Sequence, residues 1–159
     1  MMALALELPQ RVLEELKRRA EREGSGMECV AADAVTAYLG LSDPDTQAEV
    51  HLQLSKKYLR EADEFLAKGD HVQASEKAWG AAAQMVKMVA SKRGLELRSH
   101  GELHKFVAKL AAETKDEEIR RLWQSATALH QNFYENWLPK EMVAGNIEDV
   151  KELVRKLGS

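Results

Sequence analysis

Apolar residues along this chain of 159 residues recur mostly at steps of three and four, which is one face of an α-helix. The clearest stretch runs from Tyr58 to Lys87. Leu52, Tyr58, Leu59, Ala62, Phe65 and Leu66 make one stripe, and Val72, Ser75, Trp79, Ala82, Met85, Val86 and Val89 make a second. Between them, Gly69 can take the left-handed conformation that ends a helix. Asp70 can cap the next helix, with Gln73 three residues on. So short a turn predicts two antiparallel neighbours. Ala74, Ala78, Ala81, Ala82 and Ala83 make the second helix thin, so other backbones can approach it closely. It is expected at the centre of a bundle.

The same signals place the other elements. Asp43 and Pro44 open the first helix of this hairpin. Ser99 with Glu102 forms a capping box before Leu103, Phe106, Val107 and Leu110. Thr114 with Glu117 forms another, before a stripe from Ile119 through Trp123 and Phe133 to Trp137. Asn146, after Gly145, is expected to cap a last helix through Ile147, Val150, Leu153 and Leu157. Upstream the period changes. Residues 3–8 alternate, with Leu4, Leu6 and Leu8 on one side and Ala3, Ala5 and Glu7 on the other, which predicts a short strand. Pro9 opens a helix through Val12, Leu13, Leu16 and Ala20. Gly24-Ser25-Gly26 breaks it, and Ser25 with Glu28 is expected to start another through Val30, Ala34, Val35, Tyr38 and Leu39. The expected fold is all-α: a bundle of about five helices over residues 43–159, preceded by a strand-helix-helix arm over residues 1–42. A lone strand of six residues is not stable. Its simplest partner is the same strand of a second copy, so a homodimer through residues 3–40 is expected.

Composition narrows the class without naming a function. Hydrophobic residues make up 45% and charged residues 31%, ordinary values for a helix-rich domain. The single cysteine, Cys29, excludes an intrachain disulfide and fits a reducing compartment. No apolar run approaches the roughly 20 residues of a membrane span, and the N-terminus lacks a signal-peptide pattern. A cytoplasmic location is expected. Net charge is −3, and residues 44–159 hold eighteen basic and eighteen acidic residues, which is not the balance of a typical nucleic-acid binder.

One region is locally basic. Lys87, Lys92, Arg93, Arg98, Lys105 and Lys109 face only Glu96 and Glu102, with His100 and His104 among them. A helix start lies there too, and its free N–H groups favour anions. RNA, a nucleotide or another anion is the expected ligand, bound by Lys92, Arg93, Arg98, His100, Lys105, Tyr134 and Glu135. His130 borders the apolar stripe in the polar and aromatic run His130-Gln131-Asn132-Phe133-Tyr134-Glu135, where a histidine can act as acid or base. His100 and His104 share a helix face and could ligate zinc with His130 or Glu135. Without a cysteine cluster they are read as surface histidines, and neither metal nor cofactor is expected.

Three resemblances bear on function. The strand-Pro-helix-turn-helix order over residues 3–40 resembles the ribbon-helix-helix module, which implies an interlocked dimer. The positions that read DNA in that module are Ala3, Ala5 and Glu7 here, which counts against DNA recognition. The segment AKGDHVQASEKAWGAAAQMVKMVA, with its preceding helix, resembles the helical hairpin of HEPN-type bundles. HEPN-type ribonucleases carry an arginine, four to six residues, then a histidine on a late helix. His130 is the counterpart of that histidine, but no arginine stands at the matching positions, while Arg98 and His104 have the spacing on an earlier element. Finally, LPQRVLEELKRRAEREG, YLREADEFLAKGDHVQASEKAW and ALHQNFYENWL resemble the archaeal PaREP repeat-associated family, which implies no particular activity. The leading expectation is a non-catalytic homodimeric binding protein. The alternatives are a metal-independent, toxin-like ribonuclease using His130 or Arg98 and His104, and a DNA-binding regulator using the N-terminal ribbon.

Overall fold

The computed structural model describes residues 3–159. Seven helices follow one another: α1 (Gln10–Glu23), α2 (Met27–Tyr38), α3 (Pro44–Ala67), α4 (His71–Lys92), α5 (His100–Thr114), α6 (Glu117–Glu135) and α7 (Lys140–Gly158). There is no strand among the described residues. Residues 3–9 are irregular, and the expected strand over 3–8 is not formed. A strand exists only as part of a ladder, and nothing among the described residues pairs with this segment. The described residues form an all-α fold of seven helices rather than a five-helix bundle behind a strand-helix-helix arm.

Helix α4 is the axis of the fold. It packs against α3, α5, α6 and α7. Its alanines at 74, 78, 81, 82 and 83 are wholly buried, together with Trp79, Met85 and Val86. Side chains this small let the neighbouring helices sit at the short end of the usual 8–10 Å spacing. The turn between α3 and α4 is formed by Gly69 at φ +80° and by the Asp70 carboxylate, which accepts from the Gln73 N–H at 3.1 Å. Ser55 ties the hairpin from inside, donating to the Ala81 carbonyl at 2.8 Å. On the far side α7 seats Val143, Ile147, Val150 and Leu153 in the core, a regular three-and-four spacing.

Some helix starts differ from the capping signals. Asp43 and Ser99 cap α3 and α5 as their sequence positions suggest. Helix α2 starts at Gly26 with no side-chain cap, because the Ser25 hydroxyl instead accepts from Gln84 at 3.4 Å. Thr114 stays inside α5, donating to the Leu110 carbonyl, and Asp116 caps α6. Asn146 lies within α7, which starts six residues earlier, after Pro139. Pro139 has no N–H to leave unsatisfied at that position.

Trp137 was placed on the α6 stripe by its spacing, yet it is 59% exposed. Asn136 adopts a left-handed conformation, φ 49°, and ends α6 before the stripe reaches Trp137. Asn132 sets that exit. It is 1% exposed, its Nδ2 donates to the Ser75 hydroxyl at 3.0 Å, and its Oδ1 accepts from the N–H groups of Trp137 (3.0 Å) and Leu138 (2.8 Å). Truncation would strand these partners in a dry environment. Asn132→Ala is expected to lower unfolding free energy by about 2 kcal/mol in urea titrations, whereas Gln131→Ala, on the exposed face, stays near zero.

Candidate functional site

A cavity of about 480 Å³ lies where the α1–α2 turn meets α3, α4, the start of α5 and the end of α6. Five ring side chains line it: Tyr58, Trp79, His100, His130 and Tyr134. His130 stacks on Trp79 with centroids 4.7 Å apart, and His100 stacks on His130 at 5.0 Å and on Trp79 at 5.8 Å. Tyr134 meets His130 edge-on at 5.4 Å. The His130 Nδ1–H donates to the Glu76 carboxylate at 3.0 Å. This bond fixes the ring, one turn of α4 away from Trp79.

The turn over the cavity depends on glycine. A Cβ on Gly24, already at φ +64°, would lie 3.0 Å from His100 Cδ2, and one on Gly26 would lie 2.9 Å from the Tyr58 hydroxyl. Tyr58 itself is 5% exposed. Burial pushes its phenol well above the ordinary value, and the carboxylates of Glu28 and Glu61 add to this, so it stays protonated. No side chain or carbonyl among the described residues hydrogen-bonds this hydroxyl, which borders the cavity beneath Gly26.

His100 is held neutral near neutral pH. Burial is the main cause, and the adjoining imidazoles of His130 and His104 and the Lys87 ammonium act in the same direction. His104 points elsewhere. Its Nδ1 accepts from the Trp123 indole N–H at 2.9 Å, in a shallow groove between α5 and α6. His100 and His104, although four apart, thus serve different surroundings. No cluster of three or more metal-ligating side chains occurs among the described residues.

The expected binding residues separate in the same way. His100 and Tyr134 border the cavity; Lys92, Arg93, Arg98, Lys105 and Glu135 do not. Arg93 pairs with Glu113 at 2.9 Å and lies over the Phe106 ring. Arg98 pairs with Glu96 and, at 3.8 Å, with Glu23. Lys92 and Lys105 are exposed. The expected catalytic residues also part: Arg98 lies outside the cavity, His104 faces Trp123, and His130 alone lines it. Sequence spacing could not reveal Glu76 or Trp79 as site residues. Both lie on α4, 54 and 51 residues before His130, and only the antiparallel docking of α6 brings them together.

Two comparisons place the chain among known proteins. The sequence model of the archaeal PaREP1/PaREP8 family matches residues 50–154. The chain belongs to that family. A crystal structure of a protein from Sulfolobus solfataricus is similar, with 33% identity and a TM-score of 0.59, over 66% of this chain and 93% of the other. A comparison with curated proteins finds no match. The family has no assigned activity that these matches carry over. Its matched span holds Tyr58, Glu76, Trp79, His100, His130 and Tyr134, while the α1–α2 turn lies outside it.

Beside the cavity runs a buried polar chain. The His51 Nδ1–H donates to Gln84 Oε1 at 2.7 Å, and Cys29 Sγ lies 3.9 Å from the same ring nitrogen. Burial raises the Cys29 thiol and lowers His51, so both stay neutral. Lys87, counted among the basic residues by sequence, is 6% exposed and joins no ion pair among the described residues. Burial lowers its pKa, partly opposed by Cys29 and Asp33. The unfolded chain therefore binds more protons than the folded one below the ordinary values of 10.5 for lysine and 6.5 for histidine. Stability is expected to fall as pH drops through 6.5, and to rise towards pH 10.5 through the Lys87 contribution. Lys87→Met is expected to stabilise the protein by about 1 kcal/mol at pH 7 and to flatten the alkaline rise, as measured by urea unfolding across pH.

Proposed function

We propose that the chain is a non-catalytic, homodimeric binding protein whose ligand occupies the cavity between the α1–α2 turn, α4 and α6. One observation carries this reading: a cavity ringed by aromatic side chains and carboxylates, bordered by the hydroxyl of Tyr58, a residue 5% exposed whose hydroxyl has no hydrogen-bond partner among the described residues. About 480 Å³ is within the usual range for small-molecule sites. RNA, a nucleotide or another anion remains the ligand suggested by the basic stretch. The charges at the cavity favour it less, since Glu21, Glu28 and Glu76 border the space and Lys77 is 2.6 Å from Glu61. Screening small molecules by thermal shift against wild type and Gly26→Leu, which blocks the cavity, tests the reading. Hits are expected with wild type and lost in the variant. Hits retained in the variant would place the ligand elsewhere.

The homodimer reading rests on exposed apolar surface. Among the described residues, seven of the eleven exposed large hydrophobic side chains lie between residues 4 and 41, including Leu4, Leu6, Val35 and Tyr38, the last 91% exposed. Helix α1 buries only Ala20, although Val12, Leu13 and Leu16 share its apolar face. A second copy would cover this surface, which is large for a lone monomer. Light scattering is expected to give a dimer at micromolar concentration, and Leu6→Glu/Tyr38→Glu a monomer with unchanged helix content. A wild-type monomer would end the dimer reading.

A metal-independent ribonuclease is the second reading, and the stacked His100–His130 pair favours it. A neutral imidazole beside one held by a carboxylate can serve as base and acid. Incubation with labelled single-stranded RNA in EDTA decides. Cleavage lost in both His100→Ala and His130→Ala would establish the ribonuclease. Intact RNA leaves the binding protein.

A further inference from the structure

We propose that the cavity takes a small organic cation, one bearing an ammonium, amidinium or guanidinium group. This rests on the reading that the cavity is a ligand site, and adds its chemistry. Glu21, Glu28 and Glu76 supply three carboxylates, and Lys77 is the one lysine or arginine among the lining residues. The Lys77 ammonium is taken: it lies 2.6 Å from Glu61 and over the face of the Tyr58 ring, 5.1 Å from its centroid. Glu28 is matched from outside the cavity by Lys57, at 2.5 Å. Glu21, on α1, joins no ion pair among the described residues. Glu76 accepts one bond from His130, and its second oxygen has no side-chain donor among the described residues. A carboxylate accepts up to about four hydrogen bonds, so both residues keep acceptor capacity.

The Tyr58 hydroxyl is the independent sign of a ligand. The residue is 5% exposed and lines the space, and its hydroxyl can accept from an N–H group while donating to a carboxylate. The aromatic walls suit the same charge. Tyr134, 64% exposed, lines the cavity beside Trp79 and Tyr58 and meets the His130 and Phe133 rings at steep angles. Ring faces attract cations and do not attract phosphate. A phosphate here would meet three carboxylates and no unpaired ammonium.

Calorimetric titration with agmatine and spermidine, alongside adenosine, AMP and inorganic phosphate, tests the assignment. One equivalent of agmatine or spermidine per chain is expected to bind, more weakly as salt is raised. Glu21→Gln/Glu76→Gln is expected to lose at least tenfold in affinity and Tyr58→Phe several-fold, with circular dichroism unchanged. Charge-conserving Glu76→Asp should retain part of the binding. Adenosine or AMP bound in place of the cations would overturn the cation assignment and leave the cavity as a site. Cation binding unaffected by the three substitutions would overturn it too, as surface attraction. If no probe binds and the wild-type screen is also empty, both readings fall; if no probe binds but the wild type gives hits lost in Gly26→Leu, the cation assignment falls and the site stands.

Discussion

The close approach of neighbouring helices to α4 is the constraint on which the structure depends. It requires small side chains along most of that helix, and the alanines from Ala74 to Ala83 supply them. Once the neighbours sit this close, polar groups on α4 have no water to turn to. Ser75, Gln84 and Lys87 are all buried within the helix. Two are answered across helix boundaries, Ser75 by Asn132 and Gln84 by His51. These bonds fix the rotation of α3 and α6 about α4 more narrowly than apolar contacts could, since hydrogen bonds are directional.

The cavity follows from the same packing. Trp79 is the bulkiest side chain of an otherwise thin segment, and it stands where α6 and the start of α5 converge. His130 and His100 stack on it, and Glu76, one turn earlier on α4, holds His130. The α1–α2 turn then roofs the space without filling it, because Gly24 and Gly26 bring backbone, and no side chain, against His100 and Tyr58. Rigid helices thus supply the floor, while the roof belongs to the pair of helices with the fewest ties to the rest. Sites framed this way are well placed to admit a ligand through small movements of the roof.

Much of the helical content was legible because its causes are local. The Gly69-Asp70 turn, the Asp43 and Ser99 caps and the apolar stripes of α5 and α7 depend on residues within a few positions of one another. Failures came where a distant group competed. Ser25 had the sequence of a helix cap, but Gln84, 59 residues away, engages its hydroxyl. Trp137 had the spacing of a core residue, but Asn132 captures the backbone just past the helix end. Residues 3–8 had the alternation of a strand, but a strand is defined by a partner, and none of the described residues supplies one.

The sequence by itself determined helix periodicity, the central position implied by the alanines of α4, and the presence of His100, His130 and Tyr134 as residues able to do chemistry. Tertiary structure alone decided which of them meet. His100 and His104 are four residues apart yet face different rings, whereas His100, Glu76 and His130 come from three helices and share one cavity. It also decided the sign of the charge that a ligand would encounter. Along the chain the basic residues from Lys87 to Lys109 form a cluster; in space Lys87 is buried, Arg93 and Arg98 are paired with carboxylates, and the cavity is bordered by Glu21, Glu28 and Glu76. Electrostatic potential depends on distances through space, and a helical chain separates neighbours in sequence by turning them to different faces.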